Sequence, residues 1–437
     1  MSAASHPSRT MKLESFWTDT TAPFEGQTDA LPAKADVVVV GGGFTGLSAA
    51  RTLAMRGAHV VVLEASAIAA EASGRNGGQV NNGLAVDYAT VAARVGVERA
   101  AAWYRAYDNA VDTVERIVRE EAIPCDFHRR GKLKLASRPA HYEQLARSFE
   151  RLRREADPQV ELVPPQRIHE EIGCDRFAGG LLFKKSAQMH MGQFGRGLAE
   201  AAARRGAQIY DHTPVQKLQR LQGHAYRVHT PRGSIDAGQV LLATGATRHG
   251  AFSSFSFWRR RIVPIGSFII VTEPLDASVA QALLPRQRTY TTTDTLHNYF
   301  RLTPDNRLVF GGRARFALSS PRSDAKSGQV LREQLVAMFP QLRDVRIAYC
   351  WGGTVDMTQD RLPHAGETDG LYYSMGYSGH GTQMSVHMGE CMARVMAGDV
   401  AANPWRNNPW PAIPGHFGTP WFLPAVGLYY QIKNKFA

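Results

Sequence analysis

The sequence is poor in cysteine: four in 437 residues, at Cys125, Cys174, Cys350 and Cys391, none in a C-x-x-C pair. That spacing excludes a disulfide framework and a zinc ribbon, and accords with a reducing cytoplasm. Long apolar runs are missing too. Nothing approaches the roughly 18 to 20 uninterrupted apolar residues of a spanning helix, and Met1–Thr10 lacks the apolar stretch of a leader, so neither a transmembrane helix nor a signal peptide is expected. There is no internal repeat and no low-complexity tract. Lysine and arginine outnumber aspartate and glutamate by 51 to 39, a net charge of +12. Much of that arginine is scattered, and no nucleic-acid motif surrounds the denser runs Arg151–Arg154 and Arg259–Arg261. The excess therefore reads as solvated surface, and no nucleic-acid partner is expected.

What is present, with 44% hydrophobic and 21% charged residues, 40 glycines and 23 prolines, is a globular chain with a substantial core. At about 150 residues per domain it holds roughly three domain-sized units. Residues 1–35 show little periodicity and read as an arm laid over the body. From Asp36 the chain runs through Val37–Val40, too short and β-branched for a helix, into Gly41-Gly42-Gly43-Phe44-Thr45-Gly46 and a helical segment from Leu47 to Arg56. Gly57 stops the helix, and a second apolar run from Ala58 to Leu63 ends at Glu64, completing a βαβ unit. Trp103, Tyr107, Val111, Val114 and Val118 follow helical spacing, so residues 97–122 form an amphipathic helix whose aromatic stripe is core. Residues 141–156 and Gly192–Arg205 are two further helices. Strands are expected at Tyr226–His229, Gln239–Ala243, residues 262–272, residues 307–312 and Leu371–Ser374. The helix after Gly381 gathers Met384, Met388, Cys391 and Val395 on one face, again core.

Gly41-x-Gly43-x-x-Gly46 between strand and helix, with Glu64 about 20 residues on, is a dinucleotide-binding constellation. Gly41 permits the tight turn, Gly43 lets backbone approach a pyrophosphate, and Gly46 allows the helix to pack closely, while the helix N-terminus favours phosphate charge. Glu64 would accept hydrogen bonds from ribose hydroxyls. Two more glycine clusters follow, Ala72-Ser73-Gly74-Arg75-Asn76-Gly77-Gly78-Gln79 and Gly376-Tyr377-Ser378-Gly379-His380-Gly381, the second leading into a helix whose positive end could face a developing anion.

In these motifs the sequence resembles the D-amino-acid oxidase family of flavoproteins, which includes glycine oxidase and sarcosine oxidase, and within it the γ-glutamylputrescine oxidase-like branch. The likeness runs from about Ser15 into the aromatic tail. It implies an α/β chain: a Rossmann-type FAD-binding domain joined to an α+β substrate domain on a mixed or antiparallel sheet. The corresponding division is an arm at 1–35, an FAD-binding domain at 36–85, 170–250 and 345–400, a substrate-binding domain at 86–169 and 251–344, and a C-terminal tail at 401–437. No second glycine-rich βαβ unit is visible, so a separate NAD(P)H domain is not expected.

The resemblance implies FAD contacts at Gly41, Gly43, Phe44, Thr45, Gly46, Glu64 and Ala65. Further along it implies Ser73 through Gln79, Val215, Thr244 and Gly245, then Gly353, Gly379, His380, Gly381 and Thr382. Relatives with covalent flavin carry a cysteine seven residues before an aspartate that resembles Asp360, a position that falls on Gly353; Cys350 is three residues away, so noncovalent FAD is expected. Some oxidases of the family keep a lysine over the flavin to help oxygen react. The matching stretch Arg307–Gly311 has none, which leaves oxidase and dehydrogenase, and oxygen and quinone as acceptor, open.

Flavin oxidation of an amine requires the neutral amine, and hydride transfer to flavin N5 leaves negative charge at N1 and C2=O, where a helix starting near Gly381 would place its amides. Hydrolysis of the imine needs only water; no nucleophile, metal or obligatory base is expected. Candidates for the substrate face are Gln79, Tyr299, Arg301, Trp351, Tyr377 and His380, with Arg301 read as a bidentate carboxylate clamp set against an exposed strand arginine. His6, His59, His128, His141 and His249 are scattered and read as surface or core. The expected substrate is a γ-glutamylated polyamine or similar primary amine, with a secondary-amine, imino-acid or amino-acid substrate (sarcosine, glycine, pipecolate), or a noncatalytic flavin-binding module, as alternatives. The tail from Pro409 to Ala437, with Trp410, Phe417, Trp421, Phe422, Leu423, Tyr429, Tyr430, Lys433 and Lys435, either packs back on the body or lies in a membrane interface.

Overall fold

The computed structural model describes residues 11–246, 256–312, 318–423 and 425–427. His6, His249 and the tail residues Tyr429, Tyr430, Lys433 and Lys435 lie outside them.

Four consecutive valines need apolar cover on both sides, and they get it. Strand Lys34–Val40 lies between parallel strands Val60–Leu63 and Gly233–Leu242. Gln208–Tyr210 continues the sheet beyond the former and Leu371–Met375 beyond the latter, both parallel. His364–Thr368, antiparallel, closes one edge. Val37 and Val39 join one apolar cluster and Val38 and Val40 another, so the alternation of a strand sends its side chains into two separate cores. Helices Phe44–Met55, Met191–Arg204 and Gly381–Met396 bury their apolar faces in the first of these cores. Helix Val97–Glu120 joins the same core with Trp103, Tyr107, Val111 and Val114 buried, as their spacing predicts.

Among the described residues the second sheet has 8 strands, in the order Ile347–Met357, Val263–Thr272, Leu308–Gly312, Asn298–Leu302, Thr289–Thr292, Lys132–Leu135, Gly180–Phe183, Glu161–Val163. It is antiparallel except where Thr289–Thr292 runs parallel to Lys132–Leu135. One face, with Phe268, Ile270, Phe300, Phe310, Leu133 and Cys350, packs with Leu331 and Leu335 of helix Pro321–Met338. The alternate residues Ile269, Val309 and Trp351 belong to the core shared with the first sheet, so this second face looks onto the nucleotide half.

Several expected boundaries need correction. Strands Gly180–Phe183 and Ile347–Met357 fall in the stretches 170–250 and 345–400 read as FAD-binding, yet both pair in the second sheet. Helix Val97–Glu120, read with the substrate domain, shares the core of the nucleotide half. A short strand carries no mark of which sheet will accept it, and a helix may pack on either; long-range pairing decides. The arm is also more than a cover: helix Phe16–Asp19 buries Phe16 and Trp17 inside the main core. In the tail, Trp410 stacks on His364 at 4.5 Å and 4°, whereas Phe417 and Trp421 are 66% and 70% exposed. Among the described residues no helix is long and apolar enough to cross a membrane.

The tightest joint in the first βαβ unit is Gly46, where a Cβ would stand 1.9 Å from the Gly41 carbonyl oxygen and 3.0 Å from Val39 Cγ1. Backbone cannot yield there without opening the glycine turn. Gly46→Ala should therefore yield protein without bound flavin, read as loss of visible absorbance in the purified chain, with thermal stability reduced.

Candidate active site

The first glycine loop is a cradle of backbone. Gly41 sits at φ +111°, and a Cβ there would lie 2.6 Å from the Ala243 carbonyl oxygen; Gly42 has Ile68 equally close. Gly43 caps helix Phe44–Met55 without a side-chain hydrogen bond, so the helix presents amides rather than a side chain. Glu64 is fixed at the edge of this turn: its Oε2 accepts from the Gly42 amide at 2.7 Å, and its Oε1 from the Ser66 amide at 2.8 Å. Ala65 is exposed beside it. Past the end of Gly233–Leu242, the Thr244 hydroxyl is buried with no hydrogen-bond partner, and Gly245 has φ +55°. Val215 is buried in the apolar cluster of Val40, Leu63 and Leu242.

The second loop, Ser73–Gln79, runs between the sheets. Ser73 Oγ accepts from the Phe44 amide at 3.0 Å, joining this loop to the first. Asn76 folds on itself, its Oδ1 accepting from the Gly78 amide and its Nδ2 donating to the Ser73 carbonyl. Arg75 Nε donates to the Gly352 carbonyl at 2.6 Å, and Gly353, where a cysteine would tether flavin, faces Arg75. Gly77 lies under the Tyr299 ring, and the Gln79 Nε2 is buried without a partner.

The third loop closes over the other end. Asp356, half-buried, accepts from the Gly376 amide through Oδ2 at 2.6 Å; withdrawal from water pushes its carboxyl up to about 6 against that donation. Gly376, Ser378 and Gly379 all hold positive φ. His380 follows, its Nδ1 buried and unpartnered. Burial, with the charges of Lys132, Arg361 and His297, pushes its pKa down to about 3, so the ring is neutral at ordinary pH. Helix Gly381–Met396 starts with no side-chain cap, leaving the Gly381 and Thr382 end half exposed.

Several expected roles change. The hydroxyls of Thr45 and Tyr377 meet each other, 2.8 Å apart, and the Tyr377 hydroxyl lies 2.9 Å from Ser374 Oγ. They pin the third loop to the first helix. Trp351 is fully buried and donates to the Arg75 carbonyl at 3.0 Å, so it braces the second loop instead of walling an amine. Arg301 is no exposed carboxylate clamp. It is 2% exposed, with Nε donating to the Gly77 carbonyl, Nη1 to Leu302 and Nη2 to Met189, and it lies over the Trp17 ring at 5.0 Å. Burial pushes its pKa down to about 9, against a smaller opposing effect of the Asp126 carboxylate. Sequence alone could not place the Gly77 and Met189 carbonyls, because both come from residues over a hundred positions away. Of the aromatic candidates, Tyr299 stays on the face toward the nucleotide half, its ring over Gly77 and Gly311 and its hydroxyl 3.1 Å from Ser267 Oγ.

The residues that sequence reading missed are Ser15 and Trp17 of the arm, Asp356, and the lysines Lys132 and Lys134; only the Lys-Leu-Lys-Leu alternation at 132–135 was visible as a signal. Cys350 faces the opposite side of its sheet, with Sγ 3.2 Å from the Asp324 carbonyl. Among the described residues no group of His, Cys, Asp and Glu is arranged to hold a metal.

The donor set fits FAD. A helix N-terminus behind a glycine turn suits the pyrophosphate and Glu64 the ribose. The buried, unpartnered Thr244 Oγ1, Gln79 Nε2 and His380 Nδ1 are polar atoms that a long polar ligand would satisfy. Arg301, by contrast, acts on the protein itself. Arg301→Ala should strand three carbonyls and cost about 2 kcal/mol or more, measured by denaturant unfolding. Discrimination between carboxylated and uncharged substrates should be unchanged; a selective loss of carboxylated ones would restore the clamp.

Comparisons with known proteins agree with this geometry. A family model described as FAD dependent oxidoreductase (DAO) matches residues 36–395. The chain is 31% identical over 417 residues to the gamma-glutamylputrescine oxidoreductase of Escherichia coli strain K12, covering 95% of this chain and 96% of that protein. It is 32% identical over 375 residues to the probable oxidoreductase OrdL of Haemophilus influenzae, covering 84% and 83%. Among solved structures, L-proline dehydrogenase from P. horikoshii superposes with a TM-score of 0.70 at 20% identity, covering 86% of this chain and 98% of that one. Glycine oxidase from Geobacillus kaustophilus superposes with 0.68 at 22% identity, covering 84% and 95%; at such identities the likeness speaks for the fold. With the cradle, the Glu64 register and the family match in agreement, the chain belongs to the D-amino-acid oxidase family of FAD-dependent oxidoreductases.

Proposed function

We propose that this oxidoreductase acts on a primary amine whose carboxylate lies far from the reacting carbon, such as γ-glutamylputrescine or another γ-glutamylated polyamine. The observation that carries the reading is Arg301: with its guanidinium committed to three carbonyls, the strand that was to grip an α-carboxylate offers no arginine to do so. This counts against the amino-acid and imino-acid alternatives, and the likeness to the E. coli protein over 95% of the chain supports the amine. In the same reading the glycine loops and first sheet form the FAD-binding part, and the second sheet the substrate-binding part, with the strand assignments corrected above.

Bound FAD, held noncovalently, supplies the acceptor for the two electrons of the amine. The protein's share is electrostatic. Lys132 and Arg361 disfavour a proton on His380, and the same positive surroundings disfavour an ammonium, so an amine entering here is held neutral with its proton left to water. The neutral His380 offers Nδ1 as a hydrogen-bonding group, and the amide end of helix Gly381–Met396 favours negative charge developing beside it. Water then hydrolyses the imine to aldehyde. His380→Gln should slow flavin reduction by about tenfold or more at unchanged flavin content; equal loss of both would make the histidine structural.

The direct test is the visible spectrum of the purified holoenzyme, taken anaerobically before and after adding γ-glutamylputrescine. Bleaching is the expected outcome, and readmitting air then distinguishes oxygen from a quinone as acceptor. An oxidised spectrum that persists with this amine but bleaches with sarcosine or pipecolate would replace the reading with the secondary-amine one, and persistence with all three would favour a noncatalytic module. Flavin that stays with acid-precipitated protein would overturn noncovalent attachment. Four free thiols accord with a cytoplasmic enzyme. A quinone acceptor would give the exposed Phe417 and Trp421, beside Arg260 stacked over Phe417 at 5.5 Å, a role at a membrane surface.

A further inference from the structure

Strand Lys132–Leu135 reads Lys-Leu-Lys-Leu. Leu133 and Leu135 are buried in the core beneath helix Pro321–Met338, so Lys132 and Lys134 project from the other face, the one that carries Tyr299. Register makes the relation specific: Tyr299 pairs with Thr291, and Thr291 with Lys134. Lys134 thus stands in one cross-strand row with Tyr299, two strands and about 10 Å away.

The two lysines are provided for differently. Lys132 is 8% exposed; its Nζ donates to the Asn82 carbonyl at 2.8 Å and lies 4.2 Å over the Phe183 ring, with Asp108 and Asp157 within electrostatic reach. Lys134 is half-buried, and among the described residues its ammonium makes no hydrogen bond and has no carboxylate within 4 Å. The acid in its field is Asp87, which is exposed and caps helix Tyr88–Val95 by accepting from the Thr90 amide. Against that stands Arg361, exposed on the loop after Ile347–Met357, which repels both Lys134 and His380. A lysine half withdrawn from water, short of acceptors and beside another cation, is costly unless something negative answers it. Independently, Gln79 Nε2 and His380 Nδ1 are buried and unpartnered, so polar capacity in the candidate site also awaits a ligand.

We propose that Lys134, with Arg361 in its electrostatic field, binds a carboxylate of the substrate and thereby selects amines whose acidic group is well separated from the reacting end, as the span of about 10 Å between Lys134 and Tyr299 allows. An α-amino acid, with one carbon between nitrogen and carboxylate, is too short to occupy both positions. The inference rests on the amine reading above and supplies its substrate-recognising residue.

The test uses the holoenzyme, Lys134→Gln and Lys134→Arg, with two amines: γ-glutamylputrescine and its analogue in which the glutamyl carboxylate is a carboxamide. In anaerobic stopped-flow reduction, Lys134→Gln should raise the half-saturating concentration of the carboxylated amine about tenfold or more. The limiting rate and the handling of the carboxamide should stay as in the native chain, and Lys134→Arg should recover most of the loss. An unchanged half-saturation in Lys134→Gln, or equal weakening of both amines, would overturn the proposal. Glutarate supplies a measurement independent of turnover: it should perturb the flavin spectrum of the native holoenzyme and bind Lys134→Gln about tenfold more weakly. If glutarate behaves so while γ-glutamylputrescine leaves the flavin oxidised, the anion site stands and the amine reading falls. If the amine reduces the flavin and Lys134→Gln makes no difference, the site falls and the reading stands.

Discussion

The segment from Ala72 to Gly78 has one short turn of helix and no strand partner, so its carbonyls must find donors elsewhere. Each of them does. Asn76 Nδ2 serves Ala72 and Ser73, Ser15 Oγ serves Gly74, Trp351 serves Arg75, Trp17 serves Asn76, Arg301 serves Gly77, and the Met189 amide serves Gly78. The donors come from the arm, the second sheet and the strand region before helix Met191–Arg204. A backbone that could not hold its own shape is held by side chains of the arm and the second sheet and by the Met189 amide, while Ser73 Oγ ties it to the first helix.

That constraint explains the residues whose expected roles changed. Trp351 and Arg301 sit in the second sheet at positions that look chemical, on a face turned toward the cofactor half. Their polar atoms are consumed by the loop, and with them goes the simplest way of gripping an α-carboxylate. Arg301 carries its charge at a burial that lowers its pKa, stabilised by carbonyl dipoles, the Trp17 ring and the field of Asp126 rather than by a paired carboxylate. Thr45 and Tyr377 make the matching tie on the other side, between the first helix and the loop of His380. In the proposed function the chemistry falls to groups that these braces position: the amide ends of two helices, the neutral His380, Gln79 and Tyr299.

The field around those groups is cationic, and one field has two effects. It favours the neutral form of an amine near His380, and it attracts an anion near Lys134. An amine with an acidic group at its far end meets both conditions in a single molecule, whereas a simple diamine meets only the first. Net charge over the whole chain foretold none of this, because what matters is which lysines are taken out of water and which carboxylates are near them.

The βαβ unit, the three glycine loops and the amphipathic helices were legible in the residues, because each rests on local rules: β-branched runs extend, glycine turns admit positive φ or close contact, and a 3.6-residue stripe turns inward. Glu64 was legible for the same reason, since its distance from the turn follows from the length of one helix and one strand. Strand membership in the second sheet, the burial of Trp17, and the partners of Arg301 and Trp351 were not, for all depend on pairings between residues far apart in the chain. So it was with lysine at 132 and 134: alternation could say that two lysines share a face, but whether that face meets water or a ligand was set by the other half of the molecule folding over it.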